Sequence, residues 1–192
     1  MSPVGVVLCG GASTRMGHDK ANLELAGKPL ALWVAEALAA AGAHPIIAQG
    51  GSPPPPLVVS PDSTPHGGPL PALVDALERH GDILVCPTDV PTVPAGLLAA
   101  LAEHAQLTDA PVVLARSDRL EPLIGHYATA VLPTLRNGLR AGARGPRAAL
   151  TGSPVPTVPT APADVLNVNT SADLAEAEAV LASRAAHEAL PP

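Results

Sequence analysis

Short apolar runs alternate with longer segments of helical spacing along most of this chain. Strands that are joined by helices pair in parallel, because each helical crossover returns the chain to the same end of the sheet. The alternation therefore predicts an α/β fold of three layers, in which a mostly parallel, twisted sheet has helices on both faces. The expected strands lie at 4–9, 45–48, 57–59, 82–87 and 110–116, and the expected helices at 29–42, 68–81 and 94–105.

The pattern is less regular from residue 121 onward. The sequence "PLIGHYA" predicts a further strand, and "AVLPTLRNGL" predicts a helix with an internal proline. A last helix is expected at about 171–190, with Ser171 as its N-cap and with Asp173 and Glu176 in its first turns. Since no linker and no internal repeat divides the chain, we expect residues 1–192 to form a single domain.

Composition and charge narrow the classes of partner. The formal net charge of −6 argues against nucleic acid or a membrane surface as the main partner, but not against a small anionic ligand. The two cysteines, Cys9 and Cys86, are too few for a disulfide framework or a zinc site, so we expect both to be buried thiols. No apolar run approaches the about 20 residues of a membrane helix, and no signal-peptide pattern is visible. We therefore expect a cytoplasmic location.

The sequence "LCGGASTRMGHDK" (8–20) follows the first predicted strand and has the composition of a phosphate-binding loop. In open α/β sheets, ligands bind beyond the carboxyl ends of the strands. Glycines let backbone N–H groups approach a ligand, and Arg15 and Lys20 add cationic donors. Lys20 is one of two lysines against nine arginines, and its compact ammonium suits a phosphate. The alternative is a solvated surface turn. Neither G-x-x-x-x-G-K-[ST] nor G-x-G-x-x-G occurs, which argues against kinases and dehydrogenases.

The sequence "CPTDVP" (86–91) ends the most apolar of the predicted strands and places Asp89 at the same edge of the sheet as this loop. A carboxylate that faces a phosphate-binding loop would repel phosphate unless a divalent cation lay between them. Mg²⁺ fits this arrangement, because it takes one or two carboxylates and completes its shell with substrate phosphates. The alternative is that Asp89 serves a turn or caps the next helix.

Five segments, in order along the chain, resemble the nucleotidyltransferase family that includes molybdenum cofactor guanylyltransferase. They are "LCGGASTRMGHDKANLELAGKPL", "GGPLPALVDAL", "VCPTDVPTVP", "EPLIGHY" and "LNVNTSADLAEAE". The resemblance as a whole covers Val4 to about Val180. Within the wider superfamily, the Gly-Gly pair and the "NVNT" segment are most similar to the molybdenum cofactor branch. The resemblance implies a Rossmann-like nucleotidyltransferase fold. It also implies transfer of a nucleoside monophosphate to a phosphorylated acceptor, with release of pyrophosphate.

The resemblance implies roles for individual residues. Arg15, Lys20 and Asp89 would be catalytic, and Asp89 would also hold Mg²⁺. Leu8, Cys9 and Gly10 would contact the guanosine of GTP through their backbone, and Asp62 would also contact the nucleoside. Arg15 and Lys20 would bind the triphosphate. Ala48 stands where an asparagine that helps to hold the guanosine is expected, and Gln49 is the neighbouring candidate. The full nucleotide-binding set is Leu8, Cys9, Gly10, Gly11, Lys20, Asp62, Gly68 and Asp89.

Two weaker signals concern the acceptor. A local positive field is formed by Arg136, Arg140, Arg144 and Arg147. It would suit the phosphate of a molybdenum-pterin cofactor, with Arg140, Arg144 and Arg147 as the acceptor-binding residues, or it is a solvated surface. Asn167 and Asn169 alternate along a predicted strand end, so one of them would reach the metal or the acceptor, unless both serve a turn before the last helix.

Three functional hypotheses follow. The first is transfer of GMP from GTP to the phosphate of the molybdenum-pterin cofactor, with a cofactor-delivering or acceptor enzyme as a further partner. The second is a related enzyme with another nucleotide or acceptor, such as a cytidylyltransferase. The third is a non-catalytic nucleotide-binding protein. A phosphate acceptor is already anionic near neutral pH, so positioning and charge stabilisation suffice for the transfer. The lack of an evident Ser-His-Asp motif therefore excludes none of the three hypotheses.

Overall fold

A seven-stranded sheet lies at the centre of the fold. The computed structural model describes residues 2–10 and 20–188. The central sheet has the strand order β5-β4-β1-β6-β8-β7-β9, and β2 and β3 form a separate antiparallel pair. In chain order the strands are β1 (Val4–Leu8), β2 (Glu24–Leu25), β3 (Lys28–Pro29), β4 (Ile46–Gln49), β5 (Val58–Ser60), β6 (Ile83–Pro87), β7 (Val112–Arg116), β8 (Leu120–Tyr127) and β9 (Thr157–Pro159).

The central sheet is parallel except at β8. Strand β1 pairs in parallel with β4 and β6, β4 with β5, and β7 with β9, whereas β8 runs antiparallel to both β6 and β7. The connection between β7 and β8 is too short for a helical crossover, so the chain must turn back on itself there. The predicted mostly parallel sheet is confirmed.

The helices cover both faces of the sheet, as the sequence predicts. One apolar cluster joins α1 and α3 to one face, and a second joins α2 and α4 to the other. Strand β1 shows the alternation directly, because Val7 belongs to the first cluster and Val6 and Leu8 belong to the second. In chain order the helices are α1 (Leu30–Ala40), α2 (Pro69–His80), α3 (Ala95–Thr108), α4 (Leu132–Arg140), α5 (Pro146–Ala149) and α6 (Ser171–Glu188). No helix in the described ranges has the length and apolar character needed to cross a membrane.

Two local predictions for the last part of the chain were wrong. The N-cap of α6 is Thr170 and not Ser171, because the Thr170 hydroxyl accepts the N–H of Asp173 at 3.2 Å. The Asp173 carboxylate in turn accepts the N–H of Thr170 and of Asn169, and donation from Asn169 in particular holds the Asp173 pKa below its ordinary value. The segment from Asn167 to Asn169 is also not a strand end, because its backbone pairs with none of the strands in the described part of the chain.

The two cysteines form no disulfide, and they differ in environment. Cys86 is fully buried as predicted, and burial, reinforced by the charge of Asp89, raises the pKa of its thiol well above the ordinary value. Cys9 is only partly buried, which corrects the prediction, and its Sγ lies 3.1 Å from Thr88 Oγ1.

A bulge interrupts the pairing of β8 with β7. Leu114 of β7 pairs with Gly125, and the next residue of β7 pairs with Glu121. The three residues of β8 in between, Pro122, Leu123 and Ile124, therefore have no partner on β7. The Tyr127 hydroxyl donates a hydrogen bond to the Pro122 carbonyl, which ties the bulge to the end of the same strand. Tyr127 is fully buried, and burial raises its pKa well above the ordinary value, so the hydroxyl keeps the proton that it donates.

Replacing Tyr127 with Phe tests this tie. The ring still fills its site, but the Pro122 carbonyl loses its donor, so we expect the free energy of unfolding to fall by about 1–3 kcal/mol. Urea denaturation followed by circular dichroism measures the change. Leu107→Ala is the control, because Leu107 is 77% exposed and should alter stability by at most about 0.5 kcal/mol. Equal midpoints for Tyr127→Phe and the unmodified chain would contradict the tie.

Candidate active site

The carboxyl ends of β4, β1 and β6 meet at one edge of the sheet, as the sequence predicts. Leu8, the last residue of β1, pairs with Gln49 on one side and with Pro87 on the other. A cavity of about 310 Å³ opens beyond these ends. Its walls include the predicted site residues Leu8, Cys9, Gly10, Lys20, Asp89 and Asn167.

Lys20 lies between two polar side chains that come from distant parts of the sequence. Its Nζ donates to Asn169 Oδ1 at 2.6 Å and lies 3.5 Å from Asp89 Oδ2. The lysine side chain is 18% exposed and the aspartate side chain is 27% exposed, so the pair is only partly screened by water. The structure therefore brings together three of the residues that the sequence predicts for the site.

The segment before α6 is fixed to the Asp89 loop through the backbone. The N–H of Val168 donates to the carbonyl of Asp89 at 2.8 Å. On either side of this bond, Asn167 lines the cavity and Asn169 reaches Lys20. Since this segment is not a strand, strand alternation does not separate the two side chains, and both lie at the site. Contact of either one with a metal or an acceptor stays a prediction.

Arg184 on α6 ties the last helix to the same loop. It donates to the carbonyl of Thr92, three residues beyond Asp89, and to the carboxylate of Asp164. Sequence reasoning missed this residue, because an arginine within a helix of mixed charge carries no signal of a distant partner. The tie positions the asparagine segment, which lies between Asp164 and α6.

Asp62 and Gln49 form a second polar group, next to the end of β1. Gln49 Nε2 donates to Asp62 Oδ1 at 2.8 Å. Gln49 is buried, and its own Oε1 accepts no hydrogen bond from a described residue. Ala48 is buried as well, and the alternation along β4 turns it to the opposite face from Gln49. Gln49, and not Ala48, is therefore the β4 residue that faces Asp62.

The Asp62 carboxylate packs against two glycines, Gly10 and Gly50, where a side chain would collide with it. A Cβ atom at Gly10 would lie 2.6 Å from Asp62 Oδ2, and one at Gly50 would lie 2.3 Å from it. Gly50 also has a φ of +68°, a conformation that favours glycine. Gly10, which the sequence assigns to close approach of a ligand, thus also makes room for this carboxylate, and Gly50 does so as well.

Helix α2 holds the loop that carries Asp62. The Asp75 carboxylate accepts the N–H of Ser63 at 2.6 Å. Arg79, one turn further along, donates to the hydroxyls of Ser60 and Ser63 and to the carbonyl of Pro61. Sequence analysis did not single out Asp75 or Arg79, although their spacing of four residues places them on one helix face.

Gly68 precedes α2 and has a φ of +94°. Pro69 and Pro71 have no N–H, and the N–H of Leu70 points to the carbonyl of Arg144 at 3.4 Å. This end of α2 therefore offers an anion few backbone N–H donors. The predicted contact of Gly68 with the nucleotide would have to use the N–H of Gly68 itself.

The predicted acceptor arginines lie on the surface. Arg140, Arg144 and Arg147 are exposed, and none of them lines the cavity. Arg140 donates to the side chain of Asn137 at 2.6 Å. Their role toward an acceptor stays a prediction. Gly11 and Arg15, which the sequence also assigns to the site, lie outside the described residues.

Asp89 is the candidate metal ligand. Within 2–10 and 20–188, no group of three or more His, Cys, Asp or Glu side chains is arranged to hold a metal ion. The described residues near Asp89 offer its carboxylate and the amide oxygen of Asn169. A donor set this small suits Mg²⁺, which takes few protein ligands and leaves most positions to water and phosphate oxygens.

Comparisons with known proteins agree with this geometry. The probable molybdenum cofactor guanylyltransferase of Synechococcus elongatus is 33% identical over 90% of this chain and 96% of its own. Two solved structures share the fold. Molybdopterin-guanine dinucleotide biosynthesis protein A of Archaeoglobus fulgidus has a TM-score of 0.72 and 22% identity, and covers 93% of this chain and 98% of its own. Rv0371c of Mycobacterium tuberculosis, in complex with manganese, has a TM-score of 0.62 and 17% identity, and covers 90% and 96%.

The predicted nucleotidyltransferase resemblance is confirmed by a family model. Residues 5–159 match the MobA-like NTP transferase domain, which includes the strand ends that form the cavity. The match and the relative from Synechococcus together cover both the Asp89 region and the segment before α6. The chain therefore belongs to the MobA-like NTP transferase family, whose members are nucleotidyltransferases.

Proposed function

We propose that this protein transfers GMP from GTP to the phosphate of the molybdenum-pterin cofactor and releases pyrophosphate. The relative from Synechococcus, which is named a probable molybdenum cofactor guanylyltransferase, supports the choice of substrates. The observation that carries the proposal is the position of Lys20 between Asp89 and Asn169 at the edge of the sheet where ligands of α/β folds bind.

The transfer needs charge stabilisation more than proton transfer. A phosphate oxygen of the acceptor attacks the α-phosphorus of GTP, a new P–O bond forms, and the bond to the bridging oxygen breaks, leaving negative charge on pyrophosphate. Lys20 is placed to neutralise that charge, and Arg15 is proposed to assist it. Asp89 would hold Mg²⁺, which supplies positive charge to the triphosphate when bound. Asn169 holds the Lys20 ammonium in place.

The Asp62 and Gln49 pair is proposed to select the nucleoside. The guanine edge offers two adjacent donors, N1–H and the 2-amino group, whereas cytosine offers a single amino group on the corresponding edge. Asp62 supplies carboxylate oxygens, and Gln49 Oε1 lacks a donor among the described residues. A pair of acceptors favours guanine, because a base without matching donors leaves them unsatisfied.

Incubation with each of four nucleoside triphosphates, Mg²⁺ and the molybdenum-pterin cofactor tests the proposal. The expected result is a guanine dinucleotide and pyrophosphate from GTP alone. A cytosine dinucleotide would favour the cytidylyltransferase hypothesis, and nucleotide binding without pyrophosphate release would favour the non-catalytic one. The cytoplasmic location, the single-domain organisation and a protein that delivers or receives the cofactor stay predictions.

Nucleotide preference should appear in thermal stability. A ligand at 100 times its dissociation constant stabilises the native state by about 2.7 kcal/mol. With Mg²⁺ and equal nucleotide concentrations, we expect GTP to raise the melting temperature more than ATP, CTP or UTP. Asp62→Asn should reduce the GTP shift, because it removes a charged acceptor, whereas Asp109→Asn at an exposed position serves as the control. A larger shift with CTP would show that the guanine assignment is incorrect.

Asp89 and Lys20 should affect turnover through the same phosphates. Lys20→Ala removes a donor to developing charge, so we expect kcat to fall on the order of 10²–10³-fold, by analogy with oxyanion donors. Asp89→Asn should weaken Mg²⁺ binding, and the double variant should lose less than the product of the single losses. Dinucleotide formation across a Mg²⁺ titration measures these effects, with circular dichroism as the control for folding. Near-normal turnover by folded Asp89→Asn at low Mg²⁺ would contradict the metal assignment.

The arginine segment makes a separate prediction. If Arg140, Arg144 and Arg147 attract the acceptor phosphate, replacing all three with Ala should raise the acceptor KM and leave the GTP KM unchanged. All three arginines are exposed, so salt should screen their attraction for the phosphate. We therefore expect the acceptor KM of the unmodified protein to rise with salt, which makes its difference from the variant smaller. An unchanged acceptor KM at low salt would mark the segment as an ordinary solvated surface.

A further inference from the structure

Glu121 is a buried carboxylate on the wall of the cavity, and no step of the proposed transfer uses it. The residue is 8% exposed. Its Oε1 accepts hydrogen bonds from Ser117 Oγ at 2.8 Å and from Arg119 Nε at 3.1 Å. Among the described residues, no donor is bonded to Oε2. Oε2 is nevertheless not one of the fully buried oxygens without a partner, so this atom retains contact with solvent and is available to a ligand.

The topology of the sheet places Glu121 on the far side of the phosphate region from Asp62. Strand β8 runs antiparallel to β6, so its first residues lie at the carboxyl end of β6, where Asp89 follows. Across the order β4-β1-β6-β8, the polar groups at this edge are therefore Gln49 with Asp62, then Lys20 with Asp89, then Glu121. A nucleotide held by the first two groups leaves Glu121 facing the acceptor.

The bulge of β8 adds an apolar surface beside this carboxylate. Pro122, Leu123 and Ile124 line the cavity together with Glu121. They reach it because the bulge removes them from pairing with β7, and Tyr127 holds them there through the Pro122 carbonyl. A flat ring with polar groups along one edge suits a site of this kind, in which an apolar wall adjoins one fixed acceptor.

A pterin has such an edge. Its 2-amino group and its N3–H are adjacent donors, and a carboxylate accepts from them in charge-assisted hydrogen bonds. Guanine carries the equivalent 2-amino-6-oxo edge, with N1–H beside the amino group, so a guanine–pterin dinucleotide would present equivalent donors at its two ends. Along the edge of the sheet, Asp62 and Glu121 correspondingly lie on opposite sides of Asp89, and Glu121 and Asp89 line the cavity itself.

We infer that Glu121 is a specificity-determining residue that binds the 2-amino and N3–H edge of the pterin acceptor. Ser117 and Arg119 fix Oε1 and leave Oε2 to the ligand. The inference rests on the proposed function, since the pterin is the acceptor named there, and it adds the group that recognises the ring.

Glu121→Gln tests the inference with little change of size. Ser117 and Arg119 are donors, so they should keep the amide oxygen at the position of Oε1 and leave the NH₂ group facing the ligand. The NH₂ would then meet the donors of the pterin. We expect the acceptor KM to rise about 10- to 100-fold, the loss expected for hydrogen bonds to a charged group, with the GTP KM unchanged and kcat within about threefold. Glu103→Gln, an exposed change on α3, should alter none of these values.

A binding measurement separates the inference from the transfer reaction. The probes are 6-hydroxymethylpterin and 6-hydroxymethyllumazine, followed by their own fluorescence, and lumazine has a C2 carbonyl in place of the 2-amino group. The unmodified protein should prefer the pterin, and Glu121→Gln should lose or reverse that preference, because its NH₂ group can donate to the carbonyl. Ser117→Ala should retain the preference, since it keeps the carboxylate.

The outcomes distinguish the two proposals. Equal affinity of the unmodified protein for both probes, or a preference that survives in Glu121→Gln, would overturn the role of Glu121. An equal rise in the KM of GTP and of the acceptor would also overturn it, because the residue would then be structural. If no dinucleotide forms but the pterin preference depends on Glu121, the proposed transfer is wrong while the recognition of the ring stands.

Discussion

The contact of Lys20 with Asp89 and Asn169 is the point on which the arrangement of the site depends. In the sequence, Lys20 is separated from Asp89 by 69 positions and from Asn169 by 149 positions. The strand order makes this possible by setting β1 directly beside β6. The hydrogen bond from Val168 to the Asp89 carbonyl then brings the segment before α6 to the same place. A change in any of these three regions would move the cation that is proposed to face the phosphates.

Several arginines of this acidic chain hold its own segments in place. Arg79 binds the loop of Asp62, Arg119 binds Glu121, and Arg184 joins α6 to the loop beyond Asp89. Guanidinium groups suit such ties, because several N–H donors in a fixed plane reach several acceptors at once. Lys20 carries a compact ammonium instead, and its partners are side chains that line or adjoin the cavity.

The sequence was sufficient to predict the layers, the parallel core and the meeting of Lys20 with Asp89. These follow from local apolar patterns and from the rule that parallel strands share a carboxyl edge. It did not reveal that Gln49 faces Asp62, because a short strand can be assigned to either face until its neighbours are known. The bulge of β8 and the hydrogen bonds of Arg184 were also missed, since both depend on partners far along the chain. The asparagine pair was misjudged because strand alternation was applied to a segment without strand pairing.

The scarcity of lysine has a practical consequence for chemical labelling. Lys28 donates to Glu36 at 2.6 Å and lies 3.9 Å from the centre of the Trp33 ring, away from the cavity walls. Lys20 is the other side-chain amine in the whole sequence. An acylating reagent thus meets two ε-amines, one at the cavity and one outside it, and peptide mass spectrometry can compare them within the same sample. Lys28 serves as the internal reference, and protection of Lys20 reports occupancy of the site without any assay of turnover.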